Sequence, residues 1–345
     1  MARRSAKAPA HGTIVRGNFK PHPLFTSAHL QTITPTFFRP RPPAVLKRER
    51  IELPDNDFID LGWINGSAQR GEGPILLMIH GLGGGFDSKY ALGLGVQLVR
   101  RGWRTAIFKL RGAGDEPNRT THCYHHGDTA DFHYVCRLLK ERYPGVDLYA
   151  AGWSLGANVL LKAVGETGKD CLLAAAAAGS APFELEACAE HLRHGLARQY
   201  QNYLMRAIKK NLPLKHRTVA LPATADLKAA LQARDFFAFD DAYTAPLNGF
   251  ANARDYYRRC ACGQFLKTVA RPTLIVNALD DPLMAPGIAP SEADLAADVQ
   301  IELCAHGGHV GFIAAGPRGA FRYWLEERFM AFFESQRNDS HVASP

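Results

Sequence analysis

Asp147-Leu148-Tyr149-Ala150-Ala151-Gly152-Trp153-Ser154-Leu155-Gly156-Ala157-Asn158-Val159-Leu160-Leu161-Lys162-Ala163-Val164 decides how the rest of this chain is read. Its first five residues predict a short buried strand, and residues 157–164 predict a helix. Between them stands Gly152-Trp153-Ser154-Leu155-Gly156, a G-x-S-x-G pentapeptide. Strand, sharp turn and helix is the context that turns this pattern into a nucleophile elbow. The glycines leave room around a strained turn. The turn lifts the Ser154 hydroxyl clear of the backbone and aims the helix N-terminus at the reacting centre. A glycine-rich turn with an incidental serine reads the same locally, so the remaining chain has to supply the serine's partners.

Outward from the elbow, apolar runs at 74–79, 105–108, 172–178, 273–277 and 299–303 predict further strands. Residues 90–101 and 130–143 predict helices, with Asp128 as an N-cap. Strands alternating with helices imply βαβ units and a mostly parallel central sheet flanked by helices. Residues 48–53 and 58–63 predict a strand pair across the Pro54-Asp55-Asn56-Asp57 turn. After Gly179 the rhythm changes: residues 183–210 and 225–235 read as helices with no strand between them, an inserted helical cap at about 180–245. Residues 1–45 are expected to be a mobile basic tail followed by a proline-rich arm, in which 21–43 is too rich in proline for a regular helix. The core domain should then run over 46–335 and close on an amphipathic helix at 321–333, leaving 336–345 frayed.

With 345 residues and 46% hydrophobic content the chain can bury one large core. The net charge of +8 raises the question of an anionic partner. Its basic residues read as scattered, with no stripe interleaved with aromatics, so the charge reads as solvated surface and no nucleic acid is expected. The seven cysteines contain no C-x-x-C pair, which fits a reducing compartment better than a disulfide framework. Residues 1–13 lack the apolar stretch of a signal peptide, and the longest apolar run, 171–178, is far short of a bilayer span. The expectation is a cytoplasmic protein without a transmembrane segment, in weak contact with a membrane surface at most.

A serine needs a base to take its proton and an acid to orient that base. Beyond the strand at 273–277 comes Asp280-Asp281-Pro282, at the strand end where parallel sheets build sites. Asp281 is the chosen acid and Asp280 its competitor. Beyond the strand at 299–303 comes Cys304-Ala305-His306-Gly307-Gly308-His309, and His309, carried on two glycines, is preferred to His306. A tetrahedral intermediate also needs backbone N–H donors. Leu155, directly after the serine, offers one, and Leu82 in His80-Gly81-Leu82-Gly83-Gly84-Gly85 offers the other. That loop lacks the lysine of a phosphate-binding loop. His122, His125, His126, Asp128 and Asp131 carry metal-ligating atoms, but match no metal spacing and suit capping and loop hydrogen bonds better, so no metal and no cofactor are expected.

Together these residues resemble the YheT-like branch of the α/β-hydrolase superfamily, which includes eukaryotic α/β-hydrolase-domain lipases and yeast medium-chain ester synthase/esterases. The likeness spans about residues 25–333. It is carried by Ala28-His29-Leu30-Gln31-Thr32, His80-Gly81-Leu82-Gly83-Gly84, Arg111-Gly112-Ala113-Gly114, Gly127-Asp128-Thr129-Ala130-Asp131, the elbow, Gly249-Phe250 with Asp255-Tyr256-Tyr257, and Asn277-Ala278-Leu279-Asp280-Asp281-Pro282. The resemblance implies an α/β-hydrolase fold with Ser154, Asp281 and His309 as a charge-relay triad, and hydrolysis of carboxylic esters, including small-molecule or acyl-lipid esters of short to medium chain length. Acyl transfer from the same acyl-enzyme is the alternative, and non-catalytic lipid binding a more distant one. Cys260-Ala261-Cys262 departs from the family pattern, where a serine-containing stretch is expected. Phe236, Phe237, Phe239 and Tyr243 of the cap are candidate walls of the acyl pocket, although packing of the cap on the core accounts for them at least as well.

Overall fold

A computed structural model describes residues 11–69, 72–114 and 116–342. In chain order the strands are β1 Thr13–Arg16, β2 Leu46–Glu52, β3 Phe58–Ile64, β4 Ile75–Ile79, β5 Arg104–Lys109, β6 Leu148–Trp153, β7 Ala175–Gly179, β8 Thr273–Ala278, β9 Val299–Cys304, β10 Ile313–Ala315 and β11 Phe321–Tyr323. The first nine form one sheet in the order β1-β9-β8-β7-β6-β4-β5-β3-β2, and β10 pairs with β11. Every pairing from β1 to β5 is parallel, while β5–β3 and β3–β2 are antiparallel. The predicted α/β-hydrolase architecture, a mostly parallel sheet flanked by helices, is the one observed.

The helices are α1 Ala28–Phe37, α2 Lys89–Val99, α3 Ala130–Arg142, α4 Leu155–Thr167, α5 Leu185–His191, α6 Ala197–Lys209, α7 Leu212–Lys215, α8 Leu227–Gln232, α9 Phe236–Phe239, α10 Ala245–Leu247, α11 Ala253–Cys260 and α12 Trp324–Val342. The period of two along each strand divides the core between the two faces. On β4, Ile75, Leu77 and Ile79 join Phe132, Val135 and Leu139 of α3 and Leu160 of α4. Leu76 and Met78 point the other way, into a cluster with Leu92 and Leu94 of α2 and Leu325, Phe329 and Phe333 of α12. A strand buried on both faces must be apolar throughout, which is why these strands read as unbroken hydrophobic runs.

Several expectations need correction. The proline-rich stretch contains α1. Pro35 falls near its end, where a missing N–H removes only the bond to the Gln31 carbonyl. Within the supposed basic tail, Thr13–Arg16 is a strand that pairs with β9, while residues 1–10 lie outside the described residues. Helix α12 continues to Val342 through most of the tail expected to fray. Between β7 and β8 the helices run on past residue 245, through α11 to Cys260, and Gly195 at φ +51° breaks the expected long helix into α5 and α6. Thr129, not Asp128, is the N-cap of α3, because the Asp128 carboxylate is taken up by His122.

Candidate active site

The elbow is shaped by backbone collisions. A Cβ on Gly152 would come within 2.3 Å of the Gly156 carbonyl oxygen, and one on Gly156 within 2.3 Å of the Ile79 carbonyl of β4. With both positions bare, β6 turns into α4 in a single residue. Ser154 takes φ 54°, ψ −119°, a conformation a side chain rarely adopts and one that costs on the order of 1–3 kcal/mol. The Ser154 amide donates to the Gly179 carbonyl at the end of β7 at 2.9 Å, which fastens the strained residue to the sheet. Gly81 is also bare for the serine's sake, since its Cβ would stand 3.3 Å from that of Ser154.

Asp281 lies in the loop after β8. Its Oδ1 accepts from the Leu283 amide at 2.9 Å, and its Oδ2 stands 2.8 Å from His309 Nδ1. The side chains of Asp281 and His309 are 1% and 12% exposed, so water competes little for this bond. An ionised carboxylate can only accept; Nδ1 then donates, and Nε2 is left as an acceptor. The competitors form a separate pair. Asp280 accepts from the Gly308 amide at 3.0 Å and faces the half-exposed His306 at 3.2 Å. Ser154 and His309 line one cavity of about 1110 Å³, and neither Asp280 nor His306 is part of its wall.

The Gly-rich loop after β4 spends most of its amides on its own shape. Gly81 donates to the Tyr90 hydroxyl, Gly83 to the Tyr124 hydroxyl, Gly84 to the Gly81 carbonyl and Gly85 to the Ser88 hydroxyl. The Leu82 amide has no acceptor among the described residues. Leu155, as the first residue of α4, has an N–H with no intrahelical acceptor. Both leucines line the cavity beside Ser154. His80 is structural. Burial pushes it down to about 4, and the neutral ring faces the Gly81 carbonyl through Nδ1 while accepting the Leu110 amide at Nε2.

The histidine loop is held from outside. Its own backbone is strained, with Val310 at φ 60° and Phe312 at φ 46°. Helix α1 supports it: the Thr32 hydroxyl accepts the His309 amide at 2.9 Å, and Gln31 accepts the Ile313 amide at 2.6 Å while donating to the Phe25 and Ile313 carbonyls. Ser180, itself at φ 52°, accepts the Val310 amide at 3.0 Å. Gly308 and Gly311 sit so close to α1 that a Cβ would reach 2.5 Å from the Ala28 carbonyl and 2.1 Å from that of Gln31. None of these supports was identified from sequence. The Ala28–Thr32 segment was noticed there without a role, and only its packing against the loop supplies one.

Helices between β7 and β8 contribute to the wall of the cavity. Phe236, Phe239 and Tyr243 line it, whereas Phe237 packs on Tyr257 with ring centres 5.3 Å apart and takes no part. His29 of α1 meets Tyr200 of α6 at 2.8 Å, with the two rings stacked. The departure at Cys260-Ala261-Cys262 is absorbed locally: Asn158 of α4 donates to the Cys260 carbonyl and accepts the Cys262 amide. His122, Asp128 and Asp131 do converge, with possible ligand atoms within 4.8 Å of one another. Their carboxylates are already engaged, Asp131 by both arms of Arg111 and Asp128 by His122 at 2.8 Å. No helix among the described residues is long and apolar enough to cross a membrane.

The alpha/beta hydrolase fold family matches residues 74–315, from the strand before the Gly-rich loop to the strand after the histidine loop. YheT of Escherichia coli (strain K12) is 40% identical, over 90% of this chain and 91% of its own. Phospholipase ABHD3 of Mus musculus is 30% identical, over 97% of this chain and 82% of its own. Among solved structures the Pyrococcus furiosus esterase Pf2001 superposes with a TM-score of 0.54 over 98% of this chain and 99% of its own; at 14% identity that likeness shows the fold. Elbow, sheet order and relatives agree: the chain belongs to the α/β-hydrolase family and is an ester-hydrolysing enzyme.

Proposed function

We propose that the protein hydrolyses carboxylic esters through an acyl-enzyme on Ser154. His309 takes the serine proton at Nε2, Asp281 holds the imidazole through Nδ1, and the Leu82 and Leu155 amides receive the oxyanion. The observation that carries this reading is that His309, hydrogen-bonded from behind by the buried Asp281, lines the same cavity as the strained Ser154. The serine oxygen attacks the ester carbonyl and the displaced alkoxide leaves with the proton from His309. Water, activated by the same imidazole, then releases the acid. No step calls for a metal or cofactor.

The cavity lies at the upper end of ordinary ligand pockets and is largely apolar, which suits a short- to medium-chain acyl group together with part of its alcohol. Seven free thiols, six of them buried, suit a reducing compartment such as the cytoplasm. A fluorophosphonate probe should label the protein and fail to label Ser154→Ala; equal labelling of both would overturn the assignment. A chain-length series of p-nitrophenyl esters locates the preferred acyl group. Product analysis with a competing alcohol separates hydrolysis from acyl transfer by the same acyl-enzyme.

A further inference from the structure

The charge of this protein is not spread evenly. Residues 1–48 contain nine Lys and Arg, and residues 191–225 contain seven, with no Asp or Glu in either segment. Those sixteen come out of 41 in the chain, which leaves 25 basic against 33 acidic residues elsewhere. The whole net charge of +8 therefore originates in two stretches, and the rest of the molecule is acidic. The reading of the basic residues as scattered is thereby revised.

The fold brings one helix of each stretch together at the cavity, whereas the described cations of the first stretch lie elsewhere: Arg16 on β1 and Lys47 and Arg48 on β2 stand at opposite edges of the sheet, and Arg39 and Arg41 pair with Glu326 and Asp87. Helix α1 comes from the first and α6 from the second, and they meet through the His29–Tyr200 hydrogen bond and the Phe37–Tyr203 ring contact, centres 5.6 Å apart. Phe37, Leu196, Tyr203 and Lys210 belong to the cavity rim. Along α6, Tyr203, Arg206 and Lys210 follow at i, i+3 and i+7, which places them on one edge of the helix. Arg193 pairs with Glu190 and Asp235, but Arg198, Arg206 and Lys210 meet no carboxylate among the described residues. The two helices also leave large apolar side chains in water: Phe37 at the end of α1 is 55% exposed and the next residue, Phe38, 75%, while Leu196 directly before α6 is 67% exposed. A solvated charged face has no use for such knobs. A polyanion such as nucleic acid would neutralise the cations but offer the aliphatic side chains nothing to enter.

We propose that the α1–α6 rim docks on an anionic lipid surface, with Phe38 and Leu196 entering the acyl boundary and Arg198, Arg206 and Lys210 meeting the head groups. The docking turns the mouth of the cavity toward the lipid, so an acyl ester can pass from the surface to Ser154 without crossing water. The proposal names the partner of the site described above and rests on the ester-hydrolase reading only for its purpose, because the docking itself requires no catalysis.

The test is co-sedimentation of the full chain with vesicles of phosphatidylcholine alone or mixed with phosphatidylglycerol. Binding is expected on the mixed vesicles only, weakening as salt is raised. Arg198→Glu with Arg206→Glu should lower that binding by about tenfold or more, and Phe38→Ser should weaken it further at fixed salt. None of these side chains lines the cavity, so hydrolysis of a soluble p-nitrophenyl ester should be unchanged, which also reports that the variants fold. Ser154→Ala should bind vesicles like the unaltered protein. If that variant binds but no ester is ever cleaved, the enzymatic reading fails and the docking stands. Equal binding to both vesicle types, charge-reversed variants that bind normally, or displacement from the vesicles by duplex DNA at matched phosphate would overturn the docking.

Discussion

Ser154 and His309 reach one cavity by opposite means. The serine is fixed by its own neighbourhood: two bare glycines, the strand before it, the helix after it and one amide bond to the adjacent β7. The histidine sits on a strained loop whose amide is received by Thr32, 277 positions away, and whose glycines lie against the α1 backbone. The proposed nucleophile is thus placed by a pentapeptide, whereas the pose of the proposed base is a property of the whole fold. The first is visible in a line of sequence, the second only after folding.

The sharpest break in that comparison is the serine itself. Ser154→Ala should cut kcat for a soluble ester by on the order of 10⁴–10⁶-fold, with a melting temperature equal to or above that of the unaltered protein, since the substitution removes chemistry and no packing. Next come the glycines, one on each side. Gly156→Ala forces a Cβ onto the β4 backbone and should cost about 3 kcal/mol or more in denaturant unfolding, or yield no soluble protein. Gly308→Ala meets the α1 backbone at φ +57° and should displace only the histidine loop, lowering kcat more than stability. If both alanines unfolded the protein equally, the distinction between local and distant support would be lost.

Thr32→Val leaves the His309 amide without its acceptor, at a cost of about 1–3 kcal/mol for the unpaired N–H. The expected outcome is a fall in kcat of about tenfold at nearly constant KM, with recovery in Thr32→Ser. A change confined to stability would make Thr32 a packing residue only. The smallest effect concerns His122. Burial disfavours its charge, but the Asp128 carboxylate hydrogen-bonded to the ring prevails and raises it above the ordinary histidine range. A raised histidine stabilises the fold fully below about pH 6.5 and loses that contribution as pH climbs through the folded-state value. His122→Gln should therefore melt below the unaltered protein at mildly acidic pH, and the gap should narrow toward alkaline pH; a gap that widened with pH would reverse the assignment.

Much of the sheet was legible because burial on both faces writes strands as continuous apolar runs, as at Ile75–Ile79 and Thr273–Ala278. The elbow was legible because backbone collisions permit only glycine at Gly152 and Gly156. Asp281 and His309, the proposed acid and base, follow β8 and β9 as Asp280 and His306 also do, and nothing in the sequence separates the two pairs; a difference of one and three residues sends one pair inward and the other toward solvent. Helix α1 was hidden by Pro35 and the prolines that flank it, because composition cannot tell a proline in the last turn from one mid-helix. The short pairing of β10 with β11 has no periodic signature at three residues a strand. Ser180 carries no local mark, and Gln31 and Thr32, though within the family-like stretch at 28–32, carry no mark of their role, since what distinguishes them is the loop that arrives against them.

The pairing of β1 with β9 bears on how the enzyme is made. Translation delivers the elbow when less than half of the chain has left the ribosome, but Thr32 and Gln31 wait for residues 309–313, and β1 waits for β9. With Ser154 and His309 as the proposed nucleophile and base, a nascent chain would carry a shaped serine turn and no positioned base for most of its synthesis. On that assignment, the order in which the polypeptide emerges would keep the newborn hydrolase silent until its own sheet is complete.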